Sequence, residues 1–259
     1  MRFPAVLLVI MAISPFAPAK ENVALGDFVK QHLNSIGSDQ ARAAVKNRVV
    51  VGNVTFRVVN GSPQRWGGDE TFSSAPDKVD LLMQFPPSVY LTEHIVRDGK
   101  KTSVAQTRPG RWSRFGLFVK VHNEILTEGL FGGTLSAAWP LIDLEKSGAR
   151  LEDRGIKKLD GRDLRRVDYI PKQMTDLDIQ LYFEPDTFRH VQTTYLLHEQ
   201  PLDRIDERFA NFVPVEGLML PTRWTIELQN RAGQIARFEI TQQKAAQNTT
   251  LDAGTFDVR

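Results

Sequence analysis

Histidine is the side chain in this sequence best suited to acid–base or metal chemistry at neutral pH, because the chain has no cysteine. The five histidines are scattered: His32, His94, His122, His190 and His198. His190 and His198 fall on one predicted strand, where a rise of about 3.3 Å per residue separates them by about 26 Å. Each is therefore predicted on a polar strand face. His122 and Glu124 are expected to point apart on a helix, so no metal site is predicted.

Carboxylates and glycines give no catalytic pattern either. Glu184 with Asp186, and Asp203 with Asp206, fall in predicted turns, where acids commonly serve the turn geometry. The stretch "GLFGGTL" lacks the preceding strand and the lysine of a phosphate-binding loop. The sequence has no HExxH zinc motif and no Gly-x-Ser-x-Gly elbow. We therefore predict no catalytic residue, no cofactor and a protein that is not an enzyme.

Alternating apolar and polar residues, which are typical of strands, must position whatever site the protein has. The stretch "LDIQLYFEPDTFRHVQTTYLL" is predicted as a hairpin with its turn at Glu184-Pro185-Asp186-Thr187. The residues predicted on its apolar face are Leu177, Ile179, Leu181 and Phe183 before the turn, and Val191, Tyr195 and Leu197 after it.

The rest of the chain follows the same logic. Two helices are predicted at the start, the first ending at Gly37 and the second capped by Ser38. Ten or eleven antiparallel strands follow, with a bulge at Gly52. A glycine-broken helical segment over residues 117–139 interrupts them. This order predicts one large curved sheet or barrel.

The first nineteen residues have the layout of a secretory signal peptide. Arg2 precedes an apolar run, and Ala17-Pro18-Ala19 offers small residues at the cleavage positions. Cleavage would leave residues 20–259 as a single domain in the periplasm. The mature chain has no cysteine for lipid attachment, so we expect it to be peripheral to a membrane at most. The balance of 33 basic and 31 acidic residues argues against binding to nucleic acid.

Bulky apolar residues on the alternating strands are the candidate site. Two interpretations remain open from the residues alone: a packed core beneath the helices, or a cavity that admits an apolar ligand. Met and Phe side chains would suit either interpretation. They can adapt to an acyl chain in a cavity, and the same side chains can fill an ordinary core. The candidate cavity-lining residues are Val54, Phe56, Leu81, Met83, Phe85, Ile179, Leu181, Phe183, Tyr195, Trp224, Ile226, Phe238 and Ile240.

The order of these features resembles the LolA and LolB family of outer-membrane lipoprotein-sorting proteins. The similar stretches are "LNSIG", "DQARAAVKNRVVVGNVTF", "SSAPDKVDLLMQF", "DGRDLRRVDYIP", "IQLYFEPDTFRHVQTTY" and "NFVPVEGLMLPTRWTI". They extend over most of the mature chain.

The resemblance implies a fold that is mainly β (α+β): a single curved antiparallel sheet of about eleven strands, forming a half-open barrel covered by helices. It also implies a periplasmic carrier of lipoprotein acyl chains or other lipids. In the family an arginine helps to hold the helical cover shut, and the sequence alone does not locate it here. The alternative is an envelope signalling or structural module of the same fold that acts through a protein partner.

Overall fold

The structure is a computed structural model that describes residues 24–60, 65–86, 92–173, 175–197 and 202–258. The predicted signal peptide and His198 lie outside these residues. The strands are β1 Arg48–Val58, β2 Arg65–Ala75, β3 Lys78–Gln84, β4 Glu93–Arg97, β5 Thr102–Val104, β6 Arg150–Leu159, β7 Arg162–Ile170, β8 Leu177–Phe183, β9 His190–Leu197, β10 Leu202–Val215, β11 Leu218–Asn230 and β12 Ile235–Gln247. The helices are α1 Leu25–Ile36, α2 Asp39–Ala43, α3 Arg114–Val121, α4 Glu124–Thr127 and α5 Leu144–Ser147.

All twelve strands belong to one antiparallel sheet with the order β5-β4-β3-β2-β1-β12-β11-β10-β9-β8-β7-β6. The first and last strands in the sequence, β1 and β12, pair with each other in the middle of the sheet. The sheet stays open, with β5 and β6 at its two edges. The predicted fold class is confirmed, with twelve strands rather than about eleven.

Turn residues explain why neighbouring strands pair so closely. Asp160 and Gly161 both have positive φ, at 49° and 78°, and join β6 to β7. Glu216 and Gly217 do the same between β10 and β11, at 47° and 83°. Two successive positive φ angles are what the tight two-residue hairpin turn requires. These two residue pairs therefore form the turns of the β6–β7 and β10–β11 hairpins.

Strand β2 is the element that alternation did not predict. Its sequence "RWGGDETFSSA" carries two glycines and several polar residues. Gly68 is needed because a Cβ atom there would lie 2.1 Å from the carbonyl oxygen of Gln84 on β3. Close backbone approach, rather than an apolar stripe, accounts for this strand.

Irregularities in strand pairing affect which side chains face inward, and two of them bear on predicted residues. The register of β1 against β12 shifts between Val51 and Gly52, which confirms the predicted bulge. A second shift lies in the β8–β9 hairpin, where Phe183 pairs with His190 and Tyr182 pairs with Gln192. The extra residue is Val191, which packs with the small cluster of Leu164 and Tyr182 instead of the main core. The prediction that Val191 shares the inner face was therefore wrong.

The segment from Arg114 to Ser147, which we call the cover, packs over the apolar face of the sheet. It contains α3, α4, α5 and two 3₁₀ turns, Gly133–Leu135 and Pro140–Asp143. We call the sheet face beneath it the inner face. The predicted helical interruption is confirmed, although it begins three residues earlier and breaks into short turns.

Ion pairs cross the outer face of the sheet. Arg57 on β1 pairs with Glu239 on β12 at 2.9 Å, and Arg237 pairs with Glu227 on β11. Glu227 also pairs with Arg208 on β10. Partly exposed pairs of this kind each contribute little stability. Their presence shows that the two faces differ, with charge outside and apolar side chains inside.

Among the described residues, the helices are all too short or too polar to cross a bilayer.

Candidate functional site

The thirteen candidate residues all lie in one buried apolar cluster on the inner face. Most of them contact each other and the cover rather than open space. Phe115 of α3 lies 5.6 Å from Phe238, ring centre to ring centre, and Phe131 lies 5.2 Å from Trp224. The interior therefore holds a packed core over most of its length. Whether the thirteen residues contact a ligand stays a prediction.

A cavity of about 520 Å³ lies at one end of this core, and we call it the apolar cavity. It lies where β1 ends, β12 begins and α3 starts. Phe56 and Phe238 are the two candidate residues that line it. The further lining residues are Val58, Thr107, Ser113, Arg114, Phe115, Leu228, Gln234, Ile235 and Ala236.

Aromatic rings shape the wall of the apolar cavity. Phe56 and Phe238 face each other across β1 and β12, with ring centres 5.0 Å apart. Trp66 stacks on Phe56 at 5.6 Å. At the mouth, the Ser113 hydroxyl accepts a hydrogen bond from the Gly116 amide and donates one to Glu93, at 2.7 and 2.9 Å. These two bonds fix the start of α3, so the cavity is bounded by ordered elements.

A buried carboxylate joins the cover to the sheet near its centre. Glu207 of β10 accepts hydrogen bonds from the Gly132 amide, the Tyr195 hydroxyl and the Trp224 indole, at 2.9, 2.9 and 3.0 Å. Burial raises the pKa of Glu207 to about 7, although these three donors work in the opposite direction. Ionisation of this group is therefore sensitive to whether the cover is in place.

A buried arginine holds the same part of the cover. The Nη1 atom of Arg48, at the start of β1, donates to the carbonyl oxygens of Thr134 and Leu135 at 2.8 and 2.9 Å. Neither alternation nor the family resemblance pointed to Arg48, Glu207 or the buried Glu70. Each of the three stands at a strand position where alternation places apolar residues. A charged residue at such a position is the sequence feature that could have identified them.

Two histidines lie inside the core, and for His190 this shows that the predicted polar strand face was wrong. His32 of α1 accepts a hydrogen bond from the Trp139 indole at 2.9 Å and donates from Nδ1 to the Phe188 carbonyl at 2.8 Å. His190 packs against Trp139, with ring centres 4.5 Å apart, and is 1% exposed. Burial lowers the pKa of His32 to about 4 and that of His190 well below its usual range. The bulge beside Val191 turns His190 inward, which simple alternation could not show.

His122 and Glu124 also differ from expectation. Helix α3 ends at Val121 and α4 begins at Glu124, so the two residues are not on one continuous helix. His122 Nδ1 lies 3.3 Å from a carboxylate oxygen of Glu124 and 3.3 Å from one of Asp176. The prediction that His122 and Glu124 do not pair was therefore wrong.

No family model matches the chain, and none of the curated proteins matches it in sequence. Solved structures do match. A LolA superfamily protein from Nitrosomonas europaea is 12% identical, with a TM-score of 0.51 and coverage of 91% of this chain and 98% of that one. An outer membrane lipoprotein-sorting protein domain from Vibrio parahaemolyticus is 9% identical, with a TM-score of 0.50 and coverage of 89% and 95%. The resemblance predicted from the sequence is thus confirmed for the fold, and the chain has the open-sheet fold of the LolA superfamily.

Proposed function

We propose that residues 20–259 form a periplasmic binder or carrier of lipoprotein acyl chains or other lipids. The observation that carries the proposal is the apolar cavity between the sheet and α3. Its volume of about 520 Å³ falls within the range of small-molecule sites, about 300–1,000 Å³. Phe56, Phe115 and Phe238 give it an aromatic wall, and four of its eleven lining residues are polar.

Binding would gain free energy from removal of acyl methylenes from water. Each buried methylene contributes about 0.8 kcal/mol. A chain longer than the cavity could enter further only where the cover separates from the inner face. Such a movement must break the contacts of Arg48 with Thr134 and Leu135, and those of Glu207 with Gly132. In this proposal, these contacts hold the cover in its closed position.

The similarity in fold agrees with this role. One of the two solved structures described above is an outer membrane lipoprotein-sorting protein domain. The general proposal is that the protein binds lipid, and the more specific proposal is that it transfers lipoproteins.

Lipid extraction and native mass spectrometry of the protein purified from the periplasm test this function. We expect extra mass that corresponds to fatty acyl lipid and is lost after organic extraction. Protein that carries no lipid, and that binds no apolar dye displaceable by fatty acid, would contradict the proposal.

One observation favours a second function. Eleven of the thirteen candidate residues lie within the packed core and do not line the apolar cavity. A filled interior suits a module that acts through an envelope protein partner. Cross-linking in the periplasm that recovers one specific protein, together with the absence of bound lipid, would favour this alternative.

A further inference from the structure

A second cavity, of about 500 Å³, lies at the opposite end of the cover, and we call it the arginine cavity. Arg48, at the start of β1, lines it, whereas the apolar cavity lies at the other end of that strand. Its apolar wall includes Ile36, Trp139 and Leu218. The two cavities have different chemistry, because only this one contains a deeply buried cation.

Arg48 lacks a counter-ion within the described part of the chain. The residue is 3% exposed, and no carboxylate of the described residues forms an ion pair with it. Its Nη1 atom is used by the two cover carbonyls, but its Nε atom is buried and has no hydrogen-bond partner there. Burial lowers the pKa of Arg48 to about 10, with the charge of Glu216 acting in the opposite direction. Arg48 is therefore charged at neutral pH, and an unpaired buried charge is costly.

A second donor in the same cavity is also unused. Thr134 is 4% exposed, and its hydroxyl oxygen has no hydrogen-bond partner among the described residues. Its backbone carbonyl accepts a hydrogen bond from Arg48 at 2.8 Å, so the guanidinium lies beside the Thr134 backbone. Both line the arginine cavity. Both groups are donors, and because each is closed off from solvent, a local shift of the cover must expose them before an anion oxygen in the cavity accepts from them.

Three carboxylates line this cavity, those of Asp77, Glu128 and Asp143, and Asp77 is exposed. Glu128 accepts a hydrogen bond from the Tyr169 hydroxyl at 2.7 Å. Asp143 accepts one from the Lys146 amide at 3.2 Å. None of these three acids forms an ion pair with Arg48, so its charge remains available to a ligand.

We propose that the arginine cavity binds the anionic oxygen group of an amphiphile, a carboxylate or a phosphate. Arg48 Nε–H and the Thr134 hydroxyl donate to the anion, since arginine binds both groups through charge-assisted hydrogen bonds. The apolar part of the ligand lies against Ile36 and Leu218. This inference does not depend on the acyl-chain site, because the two cavities occupy opposite ends of the cover.

The test is a titration of the full mature chain, followed through the Arg48 Nε–H and Trp139 indole resonances in NMR spectra. The probes are sodium acetate, inorganic phosphate and octanoate. We expect saturable shifts of both resonances, with octanoate binding more tightly than acetate. Comparison of acetate with phosphate identifies the preferred anion. The absence of saturable shifts with every probe would overturn the anion site. Equal affinity for octanoate and acetate would overturn the claim that the ligand is an amphiphile.

Variants at Ala43 separate an electrostatic effect from unfolding. Ala43 is exposed at the cavity edge on α2, so Ala43→Glu and Ala43→Lys leave the contacts of Arg48 intact. We expect the first to weaken anion binding about threefold and the second to strengthen it about threefold, as for exposed charge pairs of up to about 1 kcal/mol. Equal affinities of the two variants would overturn the proposal. Ala232→Glu, in the turn between β11 and β12, is the matched control and should leave the affinity unchanged.

A variant that fills the apolar cavity tests whether the two cavities bind their ligands independently. Ala236→Trp fills the apolar cavity, and we expect it to abolish fatty acid binding there while the response to phosphate remains. A phosphate response that disappears in this variant would overturn the separation of the two sites. Failure of either proposal can thus be recognised independently of the other.

Discussion

Arg48, Glu207 and Glu70 are ionisable side chains among the apolar residues of the inner face, and each has a different environment. Arg48 binds two cover carbonyls, and Glu207 accepts three hydrogen bonds. Glu70 of β2 is 2% exposed, and neither of its carboxyl oxygens has a hydrogen-bond partner within the described residues. Residues of this kind are rare inside cores without a role in binding or in fixing one arrangement of the chain.

Replacement of Glu70 tests its protonation. Burial raises the pKa of Glu70 to about 8, with a smaller opposing effect of the neighbouring Gln242. Between about pH 4.5 and pH 8 the folded protein then binds a proton that the unfolded chain has released, so this group makes stability fall as pH rises. Glu70→Gln removes this effect. We expect wild type and variant to be equally stable near pH 5, and the variant to be more stable by about 3–4 kcal/mol at pH 8.

The measurement is urea denaturation at several pH values between 5 and 8. The buried histidines affect both proteins equally, so the difference between the two unfolding free energies isolates Glu70. A difference that stays constant across this range would show that Glu70 is ionised in the folded protein.

Replacement of Arg48 tests its hold on the cover. Arg48→Met removes two hydrogen bonds to Thr134 and Leu135, so we expect faster amide hydrogen exchange over residues 130–136. Arg57→Met is the matched control, because it lies on the same strand but pairs with Glu239 on the outer face. Unchanged exchange in Arg48→Met, or an equal increase in Arg57→Met, would argue against a role of Arg48 in holding the cover.

At the scale of elements, the sequence predicted the strands that alternate and missed the one that does not. Strand β2 forms because its neighbours β1 and β3 pair with it on both sides and Gly68 permits a close approach. The orientation of His190 depends on a bulge in the β8–β9 hairpin, which one residue of extra chain creates. Both features arise from pairing between strands, so a pattern within one strand does not contain them.

Two glycines with similar backbone conformations, Gly129 in the cover and Gly155 in β6, give a prediction about the packing of the cover. Gly129 has a φ of 70°, and a Cβ atom there would lie 1.9 Å from the Ala138 carbonyl oxygen. Gly155 has a φ of 68°, with no atom within 4 Å of a Cβ position. Gly155→Ala should therefore cost about 1 kcal/mol for the backbone conformation alone. Gly129→Ala should cost more by at least about 2 kcal/mol, because the cover must also move away from a backbone atom.

Thermal or urea unfolding of the two variants gives the comparison. Since the two glycines share nearly the same φ, the difference between their costs measures the packing of the cover. Equal costs would show that the loop around Gly129 is free to shift.

For the whole molecule, the leading features of the fold followed from the sequence, but the state of its interior did not. Thirteen residues predicted to line a cavity are all on the inner face, as alternation and family resemblance implied. Alternation specifies the face of a side chain and not what lies opposite. Here the cover fills most of the interior, and open volume remains at its two ends, beside Phe56 and beside Arg48. Those positions depend on how the glycine-rich cover folds.

Binding of a fluorescent fatty acid methyl ester, which has no anionic group for the arginine cavity, to wild type and to Ala236→Trp tests the central claim most directly. Ala236 lines the apolar cavity, so an indole there should occupy the volume that an acyl chain needs. Ala210→Trp, on an exposed position of β10, is the control for the added aromatic surface. We expect saturable binding to wild type and to Ala210→Trp, and affinity at least about tenfold weaker in Ala236→Trp, a loss of about 1.4 kcal/mol or more. No binding to wild type, or equal binding to all three proteins, would contradict the account.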